Sequence, residues 1–260
     1  MARIGIFDSG VGGLTVHRAI LERFPGLDTV YLGDTARLPY GTKSADVVTH
    51  YSLRNARFLS SRGIDLLVVA CNTASALALP ALRAALKIPV LGVVEPGARA
   101  AARATRGDRI GVIGTQSTIS SGAYQQAIAA ARPGAAVTAR PCPLFVPLAE
   151  EGWTDPEDEV VRLVARRYLA PFLEARVDTL VLGCTHYPLL REAIGRELPG
   201  VALVDSADAI ATEVAGLVGA PATGRVASHQ FFVTDTPERF LAVAGRFLGR
   251  TVTGAEHVDV

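Results

Sequence analysis

Two cysteines occupy matching places in a sequence that repeats itself. Residues 63–73 read Gly-Ile-Asp-Leu-Leu-Val-Val-Ala-Cys71-Asn72-Thr73, and residues 176–186 read Arg-Val-Asp-Thr-Leu-Val-Leu-Gly-Cys184-Thr185-His186. Each apolar run has the composition of a central parallel strand, and open α/β sheets bind ligands just beyond the ends of such strands. If the two strand ends face each other, a substrate carbon has one thiol on each side. One sulfur can then remove a proton from one face while the other returns a proton to the opposite face.

The neighbours of these thiols supply candidate helpers. His186 lies two residues after Cys184, on the same face if the strand exit stays extended, and can serve that thiol as acid or base. The first repeat has Thr73 at that place, so the two thiols have different helpers. Asp8, in Asp8-Ser9 after an N-terminal apolar run, reads equally well as a helix cap and as a carboxylate beside a thiol. In the second role it accepts the thiol proton or anchors a substrate ammonium. A buried strand cysteine is most often a small hydrophobe, but the polar residues after Cys71 and Cys184 weaken that reading for both. Cys142, between Pro141 and Pro143, reads as structural. Gly10-Val11-Gly12-Gly13 misses the dinucleotide-binding spacing because Thr15 stands where the third glycine is needed. Its successive N–H groups still suit a carboxylate. Histidines 17, 50, 229 and 257 have no metal-binding spacing, and no G-x-S-x-G elbow is present.

These residues need strands beneath them and helices around them. Arg3-Ile4-Gly5-Ile6-Phe7-Asp8-Ser9 is echoed by Arg109-Ile110-Gly111-Val112-Ile113-Gly114-Thr115, at an offset of 106 residues against 113 for the cysteine pair. Two related halves follow. Further strands are expected at 29–33, 65–70, 89–94, 136–140, 178–183 and 201–204. Helices are expected at 44–62, 74–86, 117–131, 156–174 and 207–218. The alternation predicts an α/β protein of two related, doubly wound parallel-sheet domains with the active site in the cleft between them. Glu95-Pro96-Gly97 reads as the end of a strand. The expected division is residues 1–97 plus 207–260 for the first domain and 98–206 for the second, the C-terminal segment packing back on the first.

The bulk composition agrees. With 260 residues, 49% of them apolar and 20% charged, the chain can bury a sizeable core, and a formal net charge of +1 argues against a nucleic-acid partner. No run of about 18 apolar residues exists to span a membrane, and the N-terminal run is too short for a signal peptide. Three unpaired cysteines suit a reducing compartment, and a cytoplasmic location is expected.

The motifs together resemble the cofactor-independent glutamate racemases of bacteria. The resemblance rests on Gly5–Gly13, Leu32-Gly33-Asp34-Thr35 with Pro39-Tyr40-Gly41, Ala70–Ala74, Gly114-Thr115 with Thr118, Pro143–Leu148 and Gly183–Leu190. It implies that Cys71 and Cys184 are the paired proton acceptor and donor, assisted by Asp8 and His186. It also implies that Asp8, Ser9, Tyr40, Gly41, Asn72, Thr73, Thr118, Thr185 and His186 bind substrate. A further active-site glutamate is expected at Glu150 or its neighbour Glu151. The implied activity is interconversion of L- and D-glutamate for peptidoglycan synthesis, with no cofactor and no metal, by a homodimer. An aspartate racemase is the alternative within the same chemistry.

Overall fold

The computed structural model describes residues 2–218 and 227–260. Residues 219–226, inside the segment expected to complete the first domain, lie outside the described residues. Among the described residues, strands are separated by one or two helices along most of the chain. Its first part contains β1 (Arg3–Asp8), α1 (Leu14–Arg23), β2 (Asp28–Gly33), α2 (Ala45–Ser61), β3 (Leu66–Val69), α3 (Asn72–Leu77), α4 (Leu79–Ala85), β4 (Val90–Gly92) and α5 (Val94–Ala104). The middle contains β5 (Arg109–Gly114), α6 (Gln116–Ser120), α7 (Ala123–Ala131), β6 (Ala136–Pro141), α8 (Phe145–Glu151), α9 (Glu159–Glu174), β7 (Thr179–Gly183), α10 (Arg191–Glu197) and β8 (Ala202–Asp205). The last part contains α11 (Ser206–Val218), β9 (His229–Val233), α12 (Pro237–Leu248) and β10 (Glu256–His257).

Two wholly parallel sheets result, ordered β10-β9-β2-β1-β3-β4 and β6-β5-β7-β8. The order β2-β1-β3-β4 in the first matches β6-β5-β7-β8 in the second, strand for strand. This is the sequence repeat in three dimensions: β1 corresponds to β5, and the Cys71 strand β3 to the Cys184 strand β7. The four residues of β3 and the five of β7 are all buried, as strands covered on both faces require. The C-terminal segment returns to the first sheet, where β9 pairs with β2.

Several local expectations need correction. The helix expected over 74–86 is two helices broken at Ala78, with Pro80 in the first turn of the second. The helix expected over 117–131 breaks at Gly122, whose φ of +69° is the left-handed conformation glycine tolerates. Glu95-Pro96-Gly97 is not a strand end: β4 stops at Gly92, and these residues form the first turn of α5, where a proline's missing N–H costs no helical bond. The expected division between 97 and 98 therefore falls inside α5, whose Val94, Ala98 and Ala101 pack with Ile110, Val112 and Val181 of the second sheet. Among the described residues no helix is long and apolar enough to cross a membrane.

Candidate active site

A cavity of about 250 Å³ opens where the carboxyl ends of the two sheets meet, and both Cys71 and Cys184 line it. The first sheet contributes Ser9 and Gly10 after β1, Leu38–Thr42 and Cys71–Thr73. The second contributes Thr115 and Gln116 after β5, Pro143, Val146, Pro147 and Glu150 around α8, and Cys184–His186. Of the side chains expected from sequence, Asp8 and Thr118 are fully buried behind this surface rather than on it. Thr115, the repeat counterpart of Ser9, was missed as a site residue although the repeat itself pointed to it. Among the described residues no lysine or arginine lines the cavity.

The two thiols have unlike surroundings. Cys71 is the residue before α3, and its sulfur accepts a hydrogen bond from Ala74 N–H (3.5 Å) and donates to Ser9 Oγ (3.8 Å). Burial and the nearby Asp8 charge push its pKa up to about 12. The Cys184 sulfur lies 3.8 Å from His186 Nδ1, and His186 Nε2 donates to Glu150 Oε1 at 2.9 Å. Burial works against a charge on His186, but the hydrogen bonds to Cys184 and Glu150 prevail and raise its pKa to about 10. A protonated imidazole thus stands against one sulfur and a fully protonated thiol forms the other wall. Of the two candidate glutamates, Glu150 makes this contact while Glu151 is exposed.

Asp8 belongs to both sides of the cleft. Its Oδ2 accepts from Gly10 N–H (2.9 Å), and Gly13 N–H, at the start of α1, also bonds to this carboxylate. The glycine loop therefore binds the chain's own carboxylate, so its N–H groups at 10 and 13 are already engaged. Thr185 of the second half donates to Asp8 Oδ1 at 3.5 Å. Burial raises the Asp8 pKa, against the opposing pull of the His186 charge and these N–H groups. The loop can come this close only because residue 12 has no side chain: a Cβ on Gly12 would sit 2.3 Å from Thr185 Oγ1 and 2.5 Å from the His186 ring.

The remaining polar residues tie the two halves together. Thr73 Oγ1 lies 2.9 Å from Thr115 Oγ1 and 3.1 Å from Thr118 Oγ1, and the last two are 2.9 Å apart. Asn72 Nδ2 donates to Tyr124 Oη (2.8 Å) and Ser206 Oγ (3.2 Å). The Tyr40 hydroxyl points at Asp34 and also receives Asn55 Nδ2 (3.1 Å), so it is turned away from the cavity. Ser117 Oγ lies 2.9 Å from the Gly41 carbonyl and 3.0 Å from that of Lys43. Among the described residues, no group of three or more His, Cys, Asp or Glu side chains could hold a metal ion.

Known proteins place this site in a family. Residues 12–214 match the Asp/Glu/Hydantoin racemase family. The glutamate racemase of Geobacter metallireducens is 58% identical over 251 residues, covering 95% of this chain and 92% of that protein. That of Aquifex aeolicus is 49% identical over 250 residues, covering 96% and 95%. The crystal structure of glutamate racemase from Francisella tularensis in complex with D-glutamate is similar with a TM-score of 0.92 at 35% identity, covering 99% of this chain and 97% of that one. With two matched sheets, two thiols at corresponding strand exits and these full-length likenesses, the chain belongs to the Asp/Glu/Hydantoin racemase family.

Proposed function

We propose that this chain is a glutamate racemase, which interconverts L- and D-glutamate by two-base proton transfer at Cα and supplies D-glutamate for peptidoglycan synthesis. The observation that carries the reading is the pair of thiols, Cys71 and Cys184, lining one small cavity from corresponding strand ends. The full-length likeness to proteins named glutamate racemase supports glutamate as the substrate.

The chemistry divides between the two walls. One sulfur, as thiolate, removes the α-proton; the other, as thiol, protonates the carbanion on the opposite face. Reversing the hand of the substrate reverses the roles. His186, held by Glu150, holds or hands over a proton at the Cys184 sulfur. Cys71 begins as the thiol; when it serves as the base its proton passes to the Asp8 carboxylate behind it, and the substrate ammonium offsets the negative charge left on the sulfur. Negative charge spreading into the α-carboxylate is met by donors already fixed in place: hydroxyls of Ser9 and Thr73, and backbone N–H groups near Tyr40 and Gly41. A homodimer in the cytoplasm belongs to the same reading, and light scattering on the purified protein tests the assembly.

The direct test follows the optical rotation of L-glutamate and L-aspartate with metal-free, cofactor-free protein. Rotation of L-glutamate should decay to zero. No decay, or decay only after pyridoxal phosphate or a metal is added, would refute the proposal.

A further inference from the structure

We propose that Arg246 and Phe247, on the C-terminal helix α12, are positioning residues that hold the Glu150–His186 pair against the Cys184 sulfur. The inference rests on the reading of His186 as the proton-handling partner of Cys184. It concerns a helix that begins about fifty residues after Cys184 and whose two residues line no part of the cavity. Phe247 is fully buried, and its ring meets the His186 imidazole edge to face, with centroids 5.1 Å apart and planes at 77°. That packing fixes the imidazole plane. Both ring nitrogens are engaged, Nδ1 toward Cys184 and Nε2 toward Glu150, so a tilt of the plane would loosen both contacts together.

Arg246 grips the other member of the pair. Its Nη1 donates to the Glu150 carbonyl oxygen at 2.5 Å, satisfying one of the terminal carbonyls of α8 that have no partner within the helix. The guanidinium lies over Gly152, the residue that ends α8 at a φ of +80°. A Cβ at that position would come within 2.8 Å of the guanidinium carbon. The last turn of α8 thus carries Glu150 on a backbone that α12 holds in place. Ala149 of α8 and Phe247 share one apolar cluster, which links the same two helices through the core.

The experiment compares H186N, E150Q, R246A, R246K, F247L and the double variant E150Q/R246A, each first shown to be folded by its melting curve. Turnover of L- and D-glutamate is measured, together with the rates at which iodoacetamide alkylates Cys71 and Cys184, resolved by peptide mass spectrometry. R246A and F247L should each lower kcat about tenfold with KM changed by less than about twofold. They should alter alkylation at Cys184 but not at Cys71, and R246K should restore most of the loss. R246A should cost nothing further once Glu150 is already Gln. A full second loss in the double variant, or equal changes at both cysteines, would show a general structural role and overturn the proposal. If H186N and E150Q keep normal turnover, the reading of His186 fails and the proposal falls with it. If those two lose activity while R246A and F247L do not, the proposal alone fails.

Discussion

Cys71 and Cys184 repeat in backbone position but differ in their proton chemistry. Asp8 and burial keep Cys71 protonated, with a pKa near 12, whereas Cys184 faces a histidine whose pKa is about 10. In the two-base scheme each direction of turnover needs both sulfurs, so Cys71→Ala and Cys184→Ala should each abolish racemisation both ways. Cys142→Ala should leave it largely intact, because Cys142 is buried and lines no part of the cavity. In heavy water the newly formed enantiomer should carry deuterium at Cα while early recovered substrate carries little. Retention of the original hydrogen in the product would point to a single base. His186 also has a signature in stability. Its pKa rises on folding from 6.5 to about 10, so the proton it binds stabilises the fold fully below about pH 6.5, and that contribution is lost as pH rises through 10. The gap in urea midpoint between the protein and its H186N variant should therefore narrow steadily from pH 6.5 to 10. A gap that widens over that range would contradict the assigned shift.

The elements that carry the thiols were legible because a strand buried on both faces must be a continuous apolar run, and Leu66–Val69 and Thr179–Gly183 are such runs. Their repetition is matched by the strand orders of the two sheets. Helix ends were less legible. Pro96 reads as a breaker, but in the first turn of α5 it removes no hydrogen bond. No helix was expected over 145–151, where α8 forms with Pro147 in its first turn. The choice between Glu150 and Glu151 needed α8 itself, since neighbours on a helix point about 100° apart and only one can face His186. The helix α12 went unread, although Phe240, Ala244, Phe247 and Leu248 have helical spacing. Gly12 was read as part of a loop that could bind a ligand; what requires glycine there is the approach of Thr185 and His186. Gly12→Ala should consequently push the Thr185-His186 turn off its position and lower kcat by about a hundredfold. The melting temperature should fall by only a few degrees, because the clash is with one turn and not with the core. Near-normal turnover in Gly12→Ala would show that this turn tolerates displacement.

At the scale of the whole molecule, the cleft is a gap between two sheets joined by hydrogen bonds across it. Ser117 reaches Gly41 and Lys43, Thr73 meets Thr115 and Thr118, and Asn72 joins Tyr124 and Ser206. The helix α5 lies across the boundary expected between the two units, its Val94, Ala98 and Ala101 packing with the second sheet. Substrate choice follows from the fixed distance between them. Among the described residues no arginine or lysine is on the cavity wall, so the proposed binding of the distal carboxylate falls to hydroxyls and backbone N–H groups at set depth. Aspartate, one methylene shorter, would leave such donors unpaired at a cost of about 1–3 kcal/mol each. Glutamate should then exceed aspartate in kcat/KM by on the order of a hundredfold or more. Ser117→Ala removes a bond that fixes the spacing without touching the sulfurs, so it should narrow this preference, chiefly through a higher KM for glutamate. Comparable rates on the two acids in the unmodified protein would move the assignment to an aspartate racemase and leave the two-thiol chemistry in place. An unchanged preference in Ser117→Ala would instead show that the depth of the cleft is set within one half alone.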